Sequence, residues 1–585
     1  MDERLPRKLV AILYADIANY SRLTGVNEDT THRALSEYLD LISETINTYH
    51  GEVMHYAGDA VLAKFEAVID AVSSATEIQE QLLTRNANLP DEQKVQFRIG
   101  VNLGDVIEDR GDIYGDGVNI AARLESAADP GGVCVSASVF EQIRGKLDFQ
   151  FEDMGEQEFK NIAEKIRSYR VIPTPAQLSP DTFETLVGER LGLPDKPSIA
   201  VLPFQNMSGD PEQEYFADGM SEDIITALTR VPDLVVISRN STFVYKGRAV
   251  DVRQVGRELG VGHVLEGSIR KSGDRLRITA QLVSTENGDH VWAKRYDRKV
   301  DDIFAIQDEI THDIVVELQG KLVIGDYSRT AASGTNNIEA WELVTRANPL
   351  VESLLREDLM LAKKLLGRAL ELDKNYPTAW TKLGWLYRKE SIWNWSSDPE
   401  KSMQMALEAA QNALSADADH PFVHSLLGSI YKVRGDANRA ISSCEKAVEL
   451  APGDSGALAV LANVLMDSGR IKEGVKKMQQ AIRLSPFPPP WFLMVLGIGL
   501  HLNGDNEAAF LALEQSAKRM PGSNFPLLWL ASTLVEMGKL DEARAFFREA
   551  LEMEPSFDAV NWANSFKSDS HKRLKANLLA VGLSE

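Results

Sequence analysis

Val10-Ala11-Ile12-Leu13-Tyr14-Ala15-Asp16-Ile17 is an apolar, strand-like run that carries a single carboxylate near its end. A second aspartate, in Gly58-Asp59, sits between two further short apolar stretches. If the two runs pair side by side, the carboxylates of Asp16 and Asp59 converge on one point. Two hard oxygen ligands, with no room for an all-protein cage, suit Mg²⁺ or Mn²⁺ held jointly with a substrate triphosphate. That is a phosphoryl-transfer site in outline.

The flanking signals set the order of elements. Lys8 to Ile17 reads as a strand, and Glu28 to Tyr49 carries apolar residues at helical spacing. Val53 to Phe65 reads as two strands about a tight Gly58-Asp59 turn. A helix follows from about Val68 to Arg85, then a strand Val95 to Leu103, a helix near Val118 to Ala128 and a short strand Val133 to Ser136. The order βαββαβ is that of a ferredoxin-like α/β sandwich.

With 585 residues the chain is long enough for several domains. Its formal net charge of −23 opposes general attraction to nucleic acid or to an anionic membrane. The two cysteines, Cys134 and Cys444, offer neither a disulfide framework nor a zinc spacing, so a reducing cytoplasm is expected. Met1-Asp2-Glu3-Arg4-Leu5-Pro6-Arg7-Lys8 has charges where a signal peptide needs an apolar core. The longest apolar run, near Phe492 to Leu502, is too short to span a bilayer, and no membrane insertion is expected.

Two polar stretches, 173–197 and 323–337, read as linkers and divide the chain into three zones: 1–172, 198–322 and 338–585. The middle zone opens with the strand Ile199 to Phe204, continues with a helix Met220 to Arg230 and a strand Leu234 to Ser238, and has a helix Val252 to Leu259 stopped by Gly260. Hairpin turns are expected at Ser272-Gly273-Asp274 and Glu286-Asn287-Gly288-Asp289, giving a small α/β domain. In the third zone Ala447-Val448-Glu449-Leu450-Ala451-Pro452 returns as Ala481 to Pro486 and Ala550 to Pro555, with Ser516 to Pro521 between them, at spacings of 34, 35 and 34 residues. An earlier copy begins at Ala369. This is the period of tetratricopeptide (TPR) helical hairpins, which stack into a solenoid and recognise protein partners along a concave face.

The second chemistry-bearing stretch is Asp112-Ile113-Tyr114-Gly115-Asp116-Gly117-Val118-Asn119-Ile120-Ala121-Ala122-Arg123. On a helix beginning near Asp116, Asn119 and Arg123 are four apart and share one face. An Arg fork and an amide suit phosphate charge and a ribose oxygen.

With Tyr14-Ala15-Asp16-Ile17, Gly58-Asp59, Arg98-Ile99-Gly100-Val101-Asn102-Leu103-Gly104-Asp105 and Asp112 to Arg123 in this order, the first zone resembles the catalytic domain of the class III adenylyl and guanylyl cyclases over essentially its whole length. The resemblance implies two metal ions, Mg²⁺ or Mn²⁺, held by Asp16, Asp59 and the backbone carbonyl of Ile17. It implies that Asp112 reads the purine, that Asn119 orients the ribose and that Arg123 stabilises the transition state. Lys160 matches a triphosphate-binding lysine, and the amides of Asn19, Tyr20 and Ser21 cradle phosphate oxygens at a helix start. The metal set and the Asn/Arg set come from different copies in such cyclases, so a homodimer with two equivalent sites is expected. His55 stands where adenylyl cyclases commonly carry a purine-reading lysine; an imidazole N–H can still donate to adenine N1 while Asp112 accepts from the exocyclic amine. The expected activity is conversion of ATP to 3′,5′-cyclic AMP and pyrophosphate, the alternatives being a guanylate cyclase or a catalytically silent dimerisation and scaffold protein. The middle zone resembles the N-terminal α/β domain of the Tol-system propeller protein (TolB) through Ser198 to Phe204, Phe216 to Ser221 and Val264 to Ile269.

Overall fold

In the computed structural model, β1 (Arg7–Ile17) is buried on both faces: Val10, Ala11, Ile12, Leu13 and Ala15 are all at most 1% exposed, as befits the centre of a covered sheet. The structure describes residues 7–18, 28–57, 60–86, 94–109, 112–144, 149–159, 162, 165–172, 180–188, 196–210, 213–248, 250–319, 334–352, 356–393, 395–520, 523–553, 557–560, 562 and 569–583. The chain divides into two compact units, Met1–Thr174 and Pro175–Glu585.

In the first unit β1 is followed by α1 (Glu28–Thr48), β2 (Glu52–Ala57), β3 (Ala60–Phe65), α2 (Val68–Asn86), β4 (Phe97–Asp109), β5 (Asp112–Tyr114), α3 (Asp116–Ala127), β6 (Val133–Ser136), α4 (Ala137–Ile143), β7 (Gln150–Gln157) and β8 (Ile166–Ile172). The sheet order is β2-β3-β1-β4-β6-β8-β7, with β5 hairpinned onto β4. Its first four members run antiparallel in the order expected of the ferredoxin-like sandwich, and β6 extends the sheet in parallel with β4. The strand read as ending at Leu103 continues to Asp109, where it turns into β5.

In the second unit α5 (Pro180–Val187) precedes β9 (Ser198–Val201), β10 (Gln205–Asn206), α6 (Glu214–Thr229), β11 (Val235–Val236), α7 (Arg239–Thr242), α8 (Val252–Leu259), β12 (His263–Ser272), β13 (Arg275–Ser284), β14 (His290–Lys299) and α9 (Ile303–Gln319). The sheet order is β11-β9-β12-β13-β14, with β10 on β12. Asp251 caps α8 by accepting from the Arg253 amide, and Gly260, at φ 66°, stops it.

Antiparallel helical hairpins then follow from α10 (Ile338–Glu352) to the helix Leu540–Met553, closed by the helix Asp569–Val581. The repeated alanines Ala369, Ala447, Ala481 and Ala550 are fully buried, so each marks a point of close helix approach. The α/β domain and the solenoid are packed together. Trp341 of α10 lies in the α/β core edge-on to Phe216, and its indole N–H donates to Asp223 at 2.7 Å. Further along, the Gly453 amide donates to the Thr229 carbonyl at 3.0 Å, and Ser238 donates to Ser485 at 2.8 Å.

The stretch 173–197, expected as a plain linker, contains α5. Phe183, Leu186 and Val187 are buried against the helices Ile471–Arg483 and Asn506–Arg519, and Gln479 and Arg483 each donate to a terminal α5 carbonyl at 3.0 Å. Its carbonyl ends are thereby satisfied by the solenoid.

Candidate active site

Asp16 stands on the face of β1 shared with Val10, Ile12 and Tyr14, which pack beneath Val118 and Ala121 of α3. Its Oδ1 accepts from the Ile17 amide at 2.9 Å. β1 pairs with β3 with Ala15 opposite Val61, so the end of β1 bearing Asp16 lies beside the start of β3. Asp59 itself, with Asn19, Tyr20, Ser21 and Lys160, lies outside the described residues.

Three features of the Arg98 to Asp105 motif place α3. Gly100 lies directly under the helix: a Cβ there would sit 2.2 Å from the Ala121 carbonyl oxygen and 2.3 Å from the Glu125 nitrogen. At Gly104 a Cβ would meet the Cα of Gly117 at 2.8 Å. Asn102 then fixes the helix start by donating to the Gly117 carbonyl at 3.0 Å. Gly115, at φ 141°, supplies the backbone turn into α3 that a side chain would strain. The result holds Asn119, exposed, and Arg123, half-buried, on the helix surface turned from the sheet.

The two positions expected to read the purine meet. His55 Nδ1 lies 2.8 Å from Asp112 Oδ1, which also accepts from the Ile113 amide at 2.8 Å. Burial opposes ionisation of Asp112, but the hydrogen bonds from His55 and the Ile113 N–H outweigh it and hold the carboxyl below its usual range.

Arg98 and Glu125 form a pair for which the sequence motifs carried no role. Arg98 is opposite Asp16 in the β1–β4 ladder, and its Nε lies 3.1 Å from Glu125 Oε1. Glu125 is 3% exposed; burial pushes its carboxyl up, Arg98 pulls it down and the nearby Asp16 charge raises it further. The signal available was an acid in register with Gly117, Ala121 and Leu124, the buried stripe of α3.

Among the described residues no three His, Cys, Asp or Glu side chains gather into a cage. Asp16 nonetheless fits a hard divalent cation: it is a half-buried carboxylate near the end of β1.

The chain matches known proteins along most of its length. The adenylate and guanylate cyclase catalytic domain matches residues 4–172. A Rhizobium meliloti (strain 1021) protein, named as a candidate adenylate cyclase 3, is 41% identical over 426 residues, 73% of this chain and 72% of the relative. The chain belongs to the adenylate and guanylate cyclase family. A Streptomyces coelicolor adenylate cyclase is 29% identical to this family member over 143 residues, 24% of this chain and 36% of that protein. The crystal structure of an adenylate/guanylate cyclase/hydrolase from Silicibacter pomeroyi is 39% identical, covering 29% of this chain and 98% of its own, with a TM-score of 0.27. Behind the cyclase domain, tetratricopeptide repeats match 423–454 and 527–557. Over 195–313 the match is the second domain of HilA/YgeH-like transcriptional regulators, a different family from the Tol-system likeness expected there. Among the described residues no helix is long and apolar enough to cross a membrane.

Proposed function

We propose that this chain is an adenylate cyclase in which the ribose 3′-oxygen of ATP bonds to the α-phosphorus as the bond to the bridging oxygen breaks, giving 3′,5′-cyclic AMP and pyrophosphate. The observation that carries the choice of ATP is Asp112, an acceptor kept ionised by His55 and the Ile113 amide. An ionised carboxylate attracts the exocyclic amine of adenine and repels the O6 of guanine.

Asn119 orients the ribose, so the 3′-hydroxyl stands in line with the α-phosphorus. Arg123 offers its fork to the charge that builds on the transferred phosphoryl group. Asp16, the Ile17 carbonyl and Asp59 would hold two Mg²⁺ or Mn²⁺ ions, whose chemistry is to ease loss of the 3′-hydroxyl proton and offset triphosphate charge. The amides of Asn19, Tyr20 and Ser21, with Lys160, bind the triphosphate. Arg98, opposite Asp16, is held there by its pair with Glu125.

Asn119 and Arg123 serve the metal set of a second copy, so the working unit is a homodimer with two equivalent sites. The α/β domain and solenoid regulate it and receive a protein partner in the cytoplasm. The test is purified full-length protein incubated with ATP or GTP and Mg²⁺ or Mn²⁺, with cyclic nucleotide measured; cyclic AMP from ATP is expected. Preferential cyclic GTP formation would transfer the assignment to guanylate cyclase, the reading that His55 favours. No cyclic nucleotide under any combination would leave a scaffold protein.

A further inference from the structure

The three-stranded meander β12-β13-β14 buries one face, with Ile269, Leu276, Ile278 and Tyr296 at most 2% exposed. Its other face buries Val264 and Val283 at one end and is exposed and cationic at the other, in a chain of net charge −23. Arg270 stands directly opposite Arg277, and one row on Arg275 stands opposite Lys299. All four are exposed. Like charges directly opposite on neighbouring strands destabilise a sheet, so two such pairs in adjacent rows work against the fold. Cationic residues on the edge strand β14 discourage edge-to-edge pairing, but β12 and β13 are interior strands and need no such protection.

We propose that this face is a docking surface for a carboxylate-rich protein segment. The face already shows how it holds a carboxylate. Asp297 is gripped by Arg277 Nε at 2.6 Å and by Arg295 Nε at 2.8 Å, one on each oxygen. By contrast, among the described residues the side chains of Arg270, Arg275 and Lys299 have no ion pair with an acid; Lys299 meets Asp302 through its backbone amide, at 3.4 Å. Their forks and ammonium are therefore available to further carboxylates.

Charge geometry selects a short acidic segment over larger polyanions. Such a segment senses the patch within a Debye length of ~10 Å at 0.1 M salt. A nucleic acid duplex or an anionic bilayer extends past the patch, over the acidic remainder of the chain. The face also has no Phe, Tyr or Trp side chain on which a base stacks.

The experiment is fluorescence anisotropy of a labelled oligoglutamate peptide titrated with the full-length protein at about 50 mM and about 200 mM salt. The same protein is titrated against a DNA duplex and against phosphatidylserine-containing vesicles. Peptide binding that weakens with salt, and weakens at least about tenfold in R270E/R275E, is expected. Tm of that variant should equal or exceed that of the parent, because each substitution turns a repulsive cross-strand pair into an attractive one. If its Tm falls instead, R270Q/R275Q replaces it, and intermediate peptide affinity is expected. Undetectable peptide binding, unchanged affinity in the variants, or tighter binding to duplex or vesicles overturns the proposal.

Discussion

His55 Nδ1 and Asp112 Oδ1, 57 positions apart in sequence, lie 2.8 Å apart where the β2–β3 and β4–β5 hairpins approach. The expected donor to adenine and the expected acceptor are thus hydrogen-bonded to each other. A donor at position 55 that meets adenine N1 favours ATP over GTP. The ATP-to-GTP turnover ratio should fall about tenfold in H55A and be kept in H55K, whose ammonium supplies a donor from the same position. An unchanged ratio in H55A would remove His55 from base reading.

Asp112 also gives a stability test. Its folded carboxyl lies below the ordinary 3.8, so its contribution is complete above that value and lost as pH falls through the lower folded value. H55A removes one of the hydrogen bonds responsible. Acid unfolding of H55A should begin at higher pH than in the parent, with a loss of about 1 kcal/mol at neutral pH. Coincident acid-unfolding curves would contradict it.

Gly100 has no room for a methyl group, since its neighbours are backbone atoms of α3 at 2.2 and 2.3 Å. G100A should displace α3, cost about 1–3 kcal/mol or more, and lower kcat about a hundredfold by misplacing Asn119 and Arg123. N102A, which loses only the hydrogen bond to Gly117, should cost about 1 kcal/mol with a smaller fall in kcat. Paired measurements of Tm and kcat check the ranking.

Asp223 accepts from Trp341 and Gln307, and burial pushes its carboxyl up to about 7. A carboxyl raised above its unfolded value binds more protons when folded, so stability falls as pH rises from about 4 towards about 7. D223N should flatten that fall while keeping an acceptor for Trp341. Thermal melts across this window decide it, and identical slopes would contradict the linkage.

Helix α5, the first described element of the second unit, packs on the solenoid. F183D/L186D should expel it, since three buried apolar side chains stabilise by about 1.5–3 kcal/mol each. Hydrogen exchange over 180–188 should then lose protection, and specific activity should shift towards that of a chain ending near Pro173. Equal activity of the truncated and full chains would show that the solenoid does not regulate catalysis.

Much of this was legible from local pattern. The buried strand around Ile12, the 34-residue repeat and the Gly260 stop each follow from neighbours in sequence. What was not legible depends on partners far along the chain. Gly100 and Gly104 belonged to a quoted motif, yet their role appears only once α3 lies across β4. Trp341 reads as a solenoid residue until Asp223, 118 positions away, takes its N–H. α5 has a polar, proline-bounded surround and finds its apolar partners nearly three hundred residues later. The pairing of Glu125 depends on Arg98, which sits on another element, and no local pattern shows it.

The most direct test of a shared catalytic site is to purify D16A and R123A separately and mix them. Each alone should be silent in cyclic AMP formation, whereas an equimolar mixture should recover about one quarter of parental activity, because half the dimers are mixed and each has one intact site. Continued silence of the mixture beside an active parent, or full activity of either variant alone, would contradict it.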